Sequence, residues 1–199
     1  MKQTTRHIIL LLTFSLLLAV TVAAQRISFG LYAAEGITLA RINDLNFNLK
    51  QAVILGGDIV TVNLDDVKYD AVGILTVEGQ KDLDITVTID APAYLELDEN
   101  HIPLTAVSFA YSNAGASDEA TAKLRAIEIP VGFTSATFPI IRRASGLPAP
   151  PPTPKYVGYI APPKGIVYLF VYGTLGSVPS KAAAGLYQGD INIHAEYAK

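Results

Sequence analysis

The stretch Gly185-Leu186-Tyr187-Gln188-Gly189-Asp190-Ile191-Asn192-Ile193-His194-Ala195-Glu196-Tyr197 decides the fold of this chain. It begins as a turn bracketed by two glycines, and from Asp190 onward polar and apolar residues alternate. Ile191, Ile193, Ala195 and Tyr197 share one face, whereas Asp190, Asn192, His194 and Glu196 share the other. A period of two is typical of a β-strand that buries one side against a core. The stretch therefore predicts a closing strand without which the domain does not fold.

Further strands are predicted upstream. Short runs rich in Val, Ile, Thr, Tyr and Phe occur there, and each run is separated from the next by turn residues. They cover residues 26–32, 36–40, 45–49, 52–55, 59–64, 69–78, 83–90, 94–97, 103–111, 133–141 and 165–175. Gly56-Gly57-Asp58 predicts a hairpin between the runs on either side of it, because glycine supplies the positive φ of such turns. The run from Gly165 to Leu175 is continuously apolar, which favours a strand buried on both faces and paired with the closing strand.

Two segments depart from this pattern. Residues 121–129 permit either a helix or a strand, and the alternation of Ala122, Leu124 and Ala126 favours the strand. Residues 146–164 are rich in proline, which fixes φ and removes backbone donors, so they predict an extended loop. That loop is interpreted as an insertion within one domain, and a ligand for a proline-recognising groove is the alternative.

The first 24 residues have the pattern of a secretory signal peptide. Lys2 and Arg6 precede an apolar run from Ile8 to Val20, and Val22-Ala23-Ala24 places small residues before Gln25. We expect cleavage after Ala24, since the run is shorter than the roughly 20 residues of a membrane span. The mature chain, residues 25–199, is then expected to be secreted, extracellular or periplasmic, with no membrane span.

Composition narrows the classes of function. Removal of Lys2 and Arg6 leaves 13 basic against 18 acidic residues, a formal charge of −5, which argues against nucleic acid as a partner. There is no Cys, and the single Met is the initiator. A disulfide framework, a thiolate metal site and a cysteine nucleophile are therefore excluded. Strands separated by regular turns predict an all-β fold, an antiparallel immunoglobulin-like β-sandwich of about 8–10 strands in one domain over residues 25–199.

The closing segment resembles a known family. The elements are Val171-Tyr172-Gly173-Thr174-Leu175, the Gly185-Leu186-Tyr187-Gln188-Gly189 motif, the alternating strand and Tyr197. Together they resemble a secreted bacterial domain-of-unknown-function family whose members are similar to spore coat protein U domains and, more loosely, to chaperone–usher pilus subunits. Leu45-Asn46-Phe47 is similar to an early element of that family, with Asn48 where the family has Gly. The resemblance implies a secreted, surface-associated sandwich.

Two groups of polar residues contain side chains of the kind that bind cations. His101 lies beside Asp98, Glu99 and Asn100, and Asp65-Asp66 precede Asp70. Carboxylate and amide oxygens suit Ca²⁺, but the ligand spacing of a calcium loop is absent, so both groups are interpreted as solvated turns. His194 is interpreted as a solvated strand residue. Core packing is favoured over a sugar site for four tyrosines, which are Tyr156, Tyr159, Tyr168 and Tyr172. We therefore predict no catalytic, cofactor-binding or metal-ligating residue and no cofactor.

Two functions remain open at this point. The first is a non-enzymatic structural or adhesion-type surface protein, with a pilus- or coat-like subunit as one form. In that case the partners are itself or other surface proteins, bound by strand pairing, and Ile27, Phe29 and Leu31 mark a donor strand. The alternative is an extracellular binding module for a glycan or small ligand, with an exposed patch of tyrosine.

Overall fold

A computed structural model describes residues 25–142 and 163–198, apart from the side chain of Tyr69. Strands dominate this part of the chain, and the all-β prediction is confirmed. The strands are β1 Gln25–Ala33, β2 Thr38–Asn43, β3 Leu45–Asn46, β4 Val60–Val62, β5 Gly73–Gln80, β6 Asp84–Asp90, β7 Tyr94–Leu97, β8 Asn100–Ser112, β9 Ile127–Glu128, β10 Ser135–Pro139, β11 Lys164–Leu175 and β12 Tyr187–Tyr197. The predicted proline-rich loop, 146–164, lies outside the described residues except for its last two positions.

Three short helical segments interrupt the strands: α1 Phe47–Lys50, a 3-10 helix Leu64–Tyr69, and α2 Glu119–Lys123. Two strand predictions are corrected by them. The segment 45–49 is a two-residue strand followed by α1, which Asn46 caps by accepting from the Asn48 amide. Within 121–129 the helix prevails through Lys123, because the Asp118 carboxylate accepts from the Thr121 amide at the N-terminus of α2.

The strands form one nearly barrel-shaped sheet. Eight of them follow in the order β10-β6-β12-β7-β8-β11-β5-β2, while β1 lies on the other edge of β12. The long strand β8 joins the half of the sheet that contains β12 to the half that contains β11. It pairs with β7 over residues 100–103 and with β11 from Leu104 onward. The register shifts opposite Thr174 and Leu175, where β8 changes partner. Such irregularities let a strand bend from one part of a sheet into another.

The predicted closing strand is confirmed as β12, and its faces are as expected. Ile191 and Ile193 are fully buried, and Ala195 is buried beside them. Its predicted pairing with the 165–175 strand is wrong: β12 pairs with β1, β6 and β7 instead. Both edges of β11 are occupied by other strands, β8 on one side and β5 and β4 on the other.

The prediction that residues 165–175 are buried on both faces is confirmed for the middle of β11, from Val167 to Val171, but it is wrong at Ile166, which is 43% exposed. Val167, Leu169 and Val171 face one way and are fully buried, while Tyr168 and Phe170 face the other way and are also buried. Helix α2 and the 3-10 helix both contact β11 and each other. This helical layer lies over the sheet here and explains why the strand carries no polar face.

The hairpin predicted around Gly56-Gly57-Asp58 is wrong, although the turn itself is present. Gly57 has a φ of +92°, and the Asp58 amide donates to the Leu55 carbonyl at 3.1 Å. Residues 52–55 form no extended strand, and β4 pairs with β11 rather than with them. The turn is held against another loop instead, since the Gly57 amide donates to the Val178 carbonyl at 2.8 Å.

The Gly-x-Tyr-x-Gly motif that opens β12 has a steric explanation. A Cβ on Gly185 would lie 2.5 Å from Cδ2 of Leu97, and one on Gly189 would lie 2.8 Å from Cδ2 of Leu95. The two glycines therefore allow β7 to pack closely against β12. Between them Tyr187 is fully buried, and its hydroxyl donates to the Ala183 carbonyl at 3.1 Å. The motif fixes how the loop enters the last strand.

Strand β1, which contains the candidate donor segment 26–32, lies in the sheet of its own chain. It runs parallel to β12 over nine residues, from Gln25 opposite Tyr187 to Ala33 opposite Ala195. Ile27 and Phe29 are buried in the core. The segment is an internal strand and is not available to complete the sheet of a neighbour.

Across residues 25–142 and 163–198, no helix has the length and apolar character needed to cross a bilayer.

Candidate functional site: the exposed face around β12

The outward side chains of β10, β6, β12 and β1 form one polar surface, here called the polar face. Because the pleat alternates, every second residue of each strand belongs to it. The clearest row crosses all four strands at the same level: Ser135 opposite Thr88, Thr88 opposite His194, and His194 opposite Tyr32. The predicted solvated side of β12 is thus the centre of a surface formed by four paired strands.

Hydroxyl pairs fix the β10–β6 part of the polar face. Oγ1 of Thr86 and Oγ1 of Thr137 are 2.9 Å apart, and Oγ1 of Thr88 and Oγ of Ser135 are 3.0 Å apart. Such cross-strand pairs stabilise a sheet by about 0.2–1 kcal/mol each. At the other end of the polar face Ser28 donates to the Asp190 carboxylate. These side chains present hydrogen-bonded donors and acceptors on the outer side of the sheet.

An aromatic pair stands in the middle of this row. The rings of Tyr32 and His194 stack with their centroids 4.7 Å apart and their planes 10° apart, and Tyr32 is 54% exposed. A shallow concavity of about 220 Å³ lies beside them, lined by Thr86, Thr88 and Glu196 among others. The polar face therefore offers a flat aromatic surface next to hydroxyls and a carboxylate.

His194 was predicted as a solvated strand residue, and it is exposed as expected. Its stacking on Tyr32 was missed, because the two residues are 162 positions apart in sequence. Only the parallel register of β1 and β12 places them side by side. The alternation in both strands could have placed each residue on an outer face, but it could not have paired them.

A second concave surface lies on the opposite half of the sheet, where β8, β9 and β11 meet. Its volume is about 390 Å³, and its lining includes Ser108, Glu128, Val131 and Tyr172. The Tyr172 hydroxyl donates to Oε2 of Glu128 at 3.0 Å. Burial is the main reason why the pKa of Tyr172 lies well above its usual value, and the hydrogen bond to the Glu128 carboxylate is the second reason. The phenol stays protonated and holds β9 against β11.

A third concavity, of about 410 Å³, lies at the start of β12 and includes Tyr94, Glu96 and Asp190 in its lining. His101, from the predicted polar tip, lies nearby: its Nδ1 is 3.8 Å from Oε1 of Glu96, and its ring centroid is 6.0 Å from that of Tyr94. His101 belongs to β8 rather than to the turn. Asp98 forms the turn, with a φ of +52°.

The three aspartates considered for a cation do not converge. Asp65 pairs with Lys123 and has a lowered pKa because of that hydrogen bond. Asp66 accepts from Lys50 Nζ at 2.8 Å and from the Asn63 amide at 2.8 Å, so it caps the 3-10 helix. Asp70 ends that helix in a left-handed conformation with φ 56°. Within residues 25–142 and 163–198 no three His, Asp or Glu side chains gather closely enough to hold a metal ion.

The four tyrosines of the predicted cluster do not form one described group. Tyr168 is buried under the helical layer, and Tyr172 lies half-buried at the second concavity. Tyr156 and Tyr159 lie outside the described residues. The tyrosine best placed for contact is Tyr32, which the sequence did not single out.

A cluster of two exposed arginines around one buried carboxylate was also missed. The Asp44 carboxylate is almost fully buried and accepts from Nε of Arg26 at 2.7 Å and from Nη1 of Arg41 at 3.0 Å. It links β1 to the bend between β2 and β3. Its geometry is that of a structural clamp, since the carboxylate is already paired with two guanidinium groups.

These features define an all-β protein with one exposed polar face and one face partly covered by short helices. No family model and no curated protein matches the chain.

Proposed function

We propose that this chain is a secreted or cell-surface protein of the structural or adhesion type, without catalytic activity, and that the polar face is its contact surface. The observation that carries the proposal is the four-strand row Ser135–Thr88–His194–Tyr32. Prearranged surfaces lose little side-chain entropy on binding, because hydrogen bonds and stacking already hold their side chains in place. The signal-peptide pattern of residues 1–24 supports the location.

Within the all-β class, we propose that the fold is an immunoglobulin-like sandwich. Three features support it. The hydroxyl of Tyr187 bonds to a carbonyl four residues upstream, as in the tyrosine corner of such domains. The first strand, β1, lies beside the last, β12, and β8 passes from one half of the sheet to the other. A sandwich of this kind is also what the resemblance to spore coat protein U domains and pilus subunits implies.

Pairing with other subunits is proposed through a different strand from the one that the sequence indicated. Because β1 pairs with β12 within its own chain, an edge of the sheet is the better candidate. The strand order ends at β10 and at β2, and we choose β10, which pairs only with β6 among the described strands and borders the polar face. Ile89 donates to the Thr134 carbonyl and Ile140 to the Leu83 carbonyl, so alternate residues of β10 bond inward. Ser135 and Thr137 then direct their backbone amides and carbonyls away from β6. A strand from a partner would add there.

The contact function is tested with beads coated with the mature protein and applied to producing cells. We expect retention by the cell surface, and a large loss of retained beads when Tyr32 and His194 are both replaced by Ala. Tyr94→Ala is the matched control, since Tyr94 is 52% exposed but lies outside the row. Equal retention of the double variant and the wild type would refute the polar face as the contact surface.

The second candidate is an extracellular module for a glycan or small ligand, and the Tyr32–His194 stack beside Thr86, Thr88 and Glu196 favours it. An exposed aromatic face with neighbouring hydrogen-bonding groups suits a sugar ring. A glycan array probed with the wild type and with Tyr32→Ala tests it. Binding that Tyr32→Ala abolishes supports the candidate, and an array without binding excludes a glycan ligand.

A further inference from the structure

Gln25 is the least expected polar residue of the core. It lies on the inward side of β1 with Ile27 and Phe29, opposite the fully buried Tyr187. Gln25 itself is 0% exposed, and both polar atoms of its side-chain amide, Nε2 and Oε1, lack a hydrogen-bond partner. An amide buried without partners is costly and uncommon. Packing alone does not explain why glutamine occupies this position.

Processing changes the chemistry of this residue. Cleavage after Ala24, which is part of the proposed secretion, makes the nitrogen of Gln25 an α-amine. In the uncleaved chain that nitrogen is a backbone amide, and it donates to Oδ1 of Asn48, a partly buried side chain next to the fully buried Phe47. An α-amine is mostly protonated at neutral pH, and a charge at the inner end of β1 would be poorly solvated. The open-chain residue would therefore place a charge at a partly buried strand end, next to a buried side-chain amide without partners.

We propose that Gln25 is a modification site and that the mature N-terminus is pyroglutamate. The neutral α-amine attacks Cδ of its own side chain, and a bond forms between the backbone nitrogen and Cδ. The bond from Cδ to Nε2 breaks, and Nε2 leaves as ammonia with a proton from the amine. No oxidant, reductant or second reactant is consumed. The step is intramolecular and can take place before the strand is buried.

The product fits this position better than open-chain glutamine does. Cyclisation removes Nε2, one of the two unpaired atoms, and removes the positive charge. It leaves one amide N–H and one carbonyl on the same side of a small ring. The side-chain amide of Asn48 carries both an acceptor and a donor, so it can satisfy both groups of the ring. Asn48 is thereby assigned as the positioning residue for the modified terminus.

The first experiment is intact-mass analysis and N-terminal sequencing of the protein secreted by a bacterial host. We expect a chain that begins at residue 25, is lighter by one ammonia than the open form and resists sequential degradation. A chain that begins at another residue would refute the proposed processing and the inference with it. An open glutamine at residue 25 would refute the inference alone. Gln25→Ala is the control, because it leaves a free and readable terminus.

A second experiment tests the burial, since exposed N-terminal glutamine can also cyclise. Pyroglutamyl aminopeptidase should remove the ring from the urea-unfolded chain but not from the native protein. Rapid removal from the native protein would overturn the proposal.

A third experiment follows the effect on the fold. A chain produced with a removable tag can be released with Gln25 open, and its thermal midpoint is then followed as ammonia is lost. We expect the midpoint to rise in step with cyclisation in the wild type, and to rise less in Asn48→Ala. A midpoint that does not change while the mass falls would overturn the proposed role in the core.

Discussion

At the scale of single residues, glycines decide how closely neighbouring strands can approach each other. Among the described glycines, Gly173 in β11 has the closest neighbour, because a Cβ there would lie 2.3 Å from the backbone oxygen of Ala106 in β8. Gly189 is limited instead by the side chain of Leu95, and its Cβ would also lie 3.3 Å from Cγ of Pro92. Backbone atoms of a paired strand cannot move aside as a side chain can, so the two positions differ in severity.

We expect Gly173→Ala to destabilise the protein by about 3 kcal/mol or more and Gly189→Ala by about 1–3 kcal/mol. Gln188→Ala, on the exposed position before Gly189, should change stability by less than about 0.5 kcal/mol. Urea unfolding followed by circular dichroism measures the three values. A larger loss for Gln188→Ala than for either glycine variant would contradict the steric interpretation.

The buried hydroxyl of Tyr187 supports a second prediction at this scale. Tyr187→Phe removes the bond to the Ala183 carbonyl and keeps the ring, so it should cost about 0.5–1.5 kcal/mol. Tyr94→Phe, at an exposed position, is the matched control and should be neutral within error. The free energies of unfolding of both variants test this prediction. Equal values would argue against a specific role for the hydrogen bond between Tyr187 and Ala183.

At the scale of elements, faces were predictable and partners were not. Alternation in β6 and β12 and the apolar run of β11 report which sides of a strand are buried, because burial acts residue by residue. Pairing depends on residues far apart in sequence, which is why β12 was assigned to β11 although it pairs with β1 and β6. Local hydrogen bonds can also outweigh the alternation of polar and apolar residues. Capping by Asp118 begins a helix at a place where alternation favoured a strand.

The central position of β12 makes it necessary for the fold. A chain that ends at Asp190 loses seven residues of the strand and leaves β6 and β1 without their common neighbour. We expect this truncation to abolish cooperative thermal unfolding and to yield insoluble or unfolded protein. A chain that ends at Tyr197, which keeps the whole strand, is the control. Soluble truncated protein with a sharp melting transition would show that the strand is dispensable.

At the scale of the whole molecule, the core contains several phenol groups, and burial is the first cause of a raised pKa at four of them. They are Tyr111, Tyr168, Tyr172 and Tyr187. Because their pKa values in the folded state lie above the unfolded value of 10.0, the protonated form is favoured by folding. The resulting stability is fully present below about pH 10 and is lost as pH rises through the folded values.

Alkaline titration followed by tyrosinate absorbance tests this behaviour. In urea all ten tyrosines should ionise together near their ordinary pKa. In the native protein at least four should ionise later, together with the loss of the folded circular dichroism signal. Tyr172→Phe should remove one late phenol. A native curve that superimposes on the urea curve would contradict the burial of these groups.

The same scale shows how far a site can be predicted from sequence. The absence of cysteine rules out a thiolate site from the sequence alone. The spacing of the acidic residues predicted solvated turns, which is wrong for Asp66, because its carboxylate is buried and pairs with Lys50, whereas Asp65 is exposed and pairs with Lys123. The Tyr32–His194 stack could not be predicted, because it depends on the register of the first strand against the last. A polar face is a property of neighbouring strands, and no single segment of the sequence contains it.

The parallel pairing of β1 and β12 has a mechanical consequence. Gln25 lies at one end of this strand pair and Tyr197 at the other, about 30 Å apart. Tension between the two ends pulls β1 and β12 in opposite directions along their own axes. The backbone bonds between them are then loaded together in shear, rather than opened one after another from an end. A domain loaded in this way resists extension until the whole ladder fails at once.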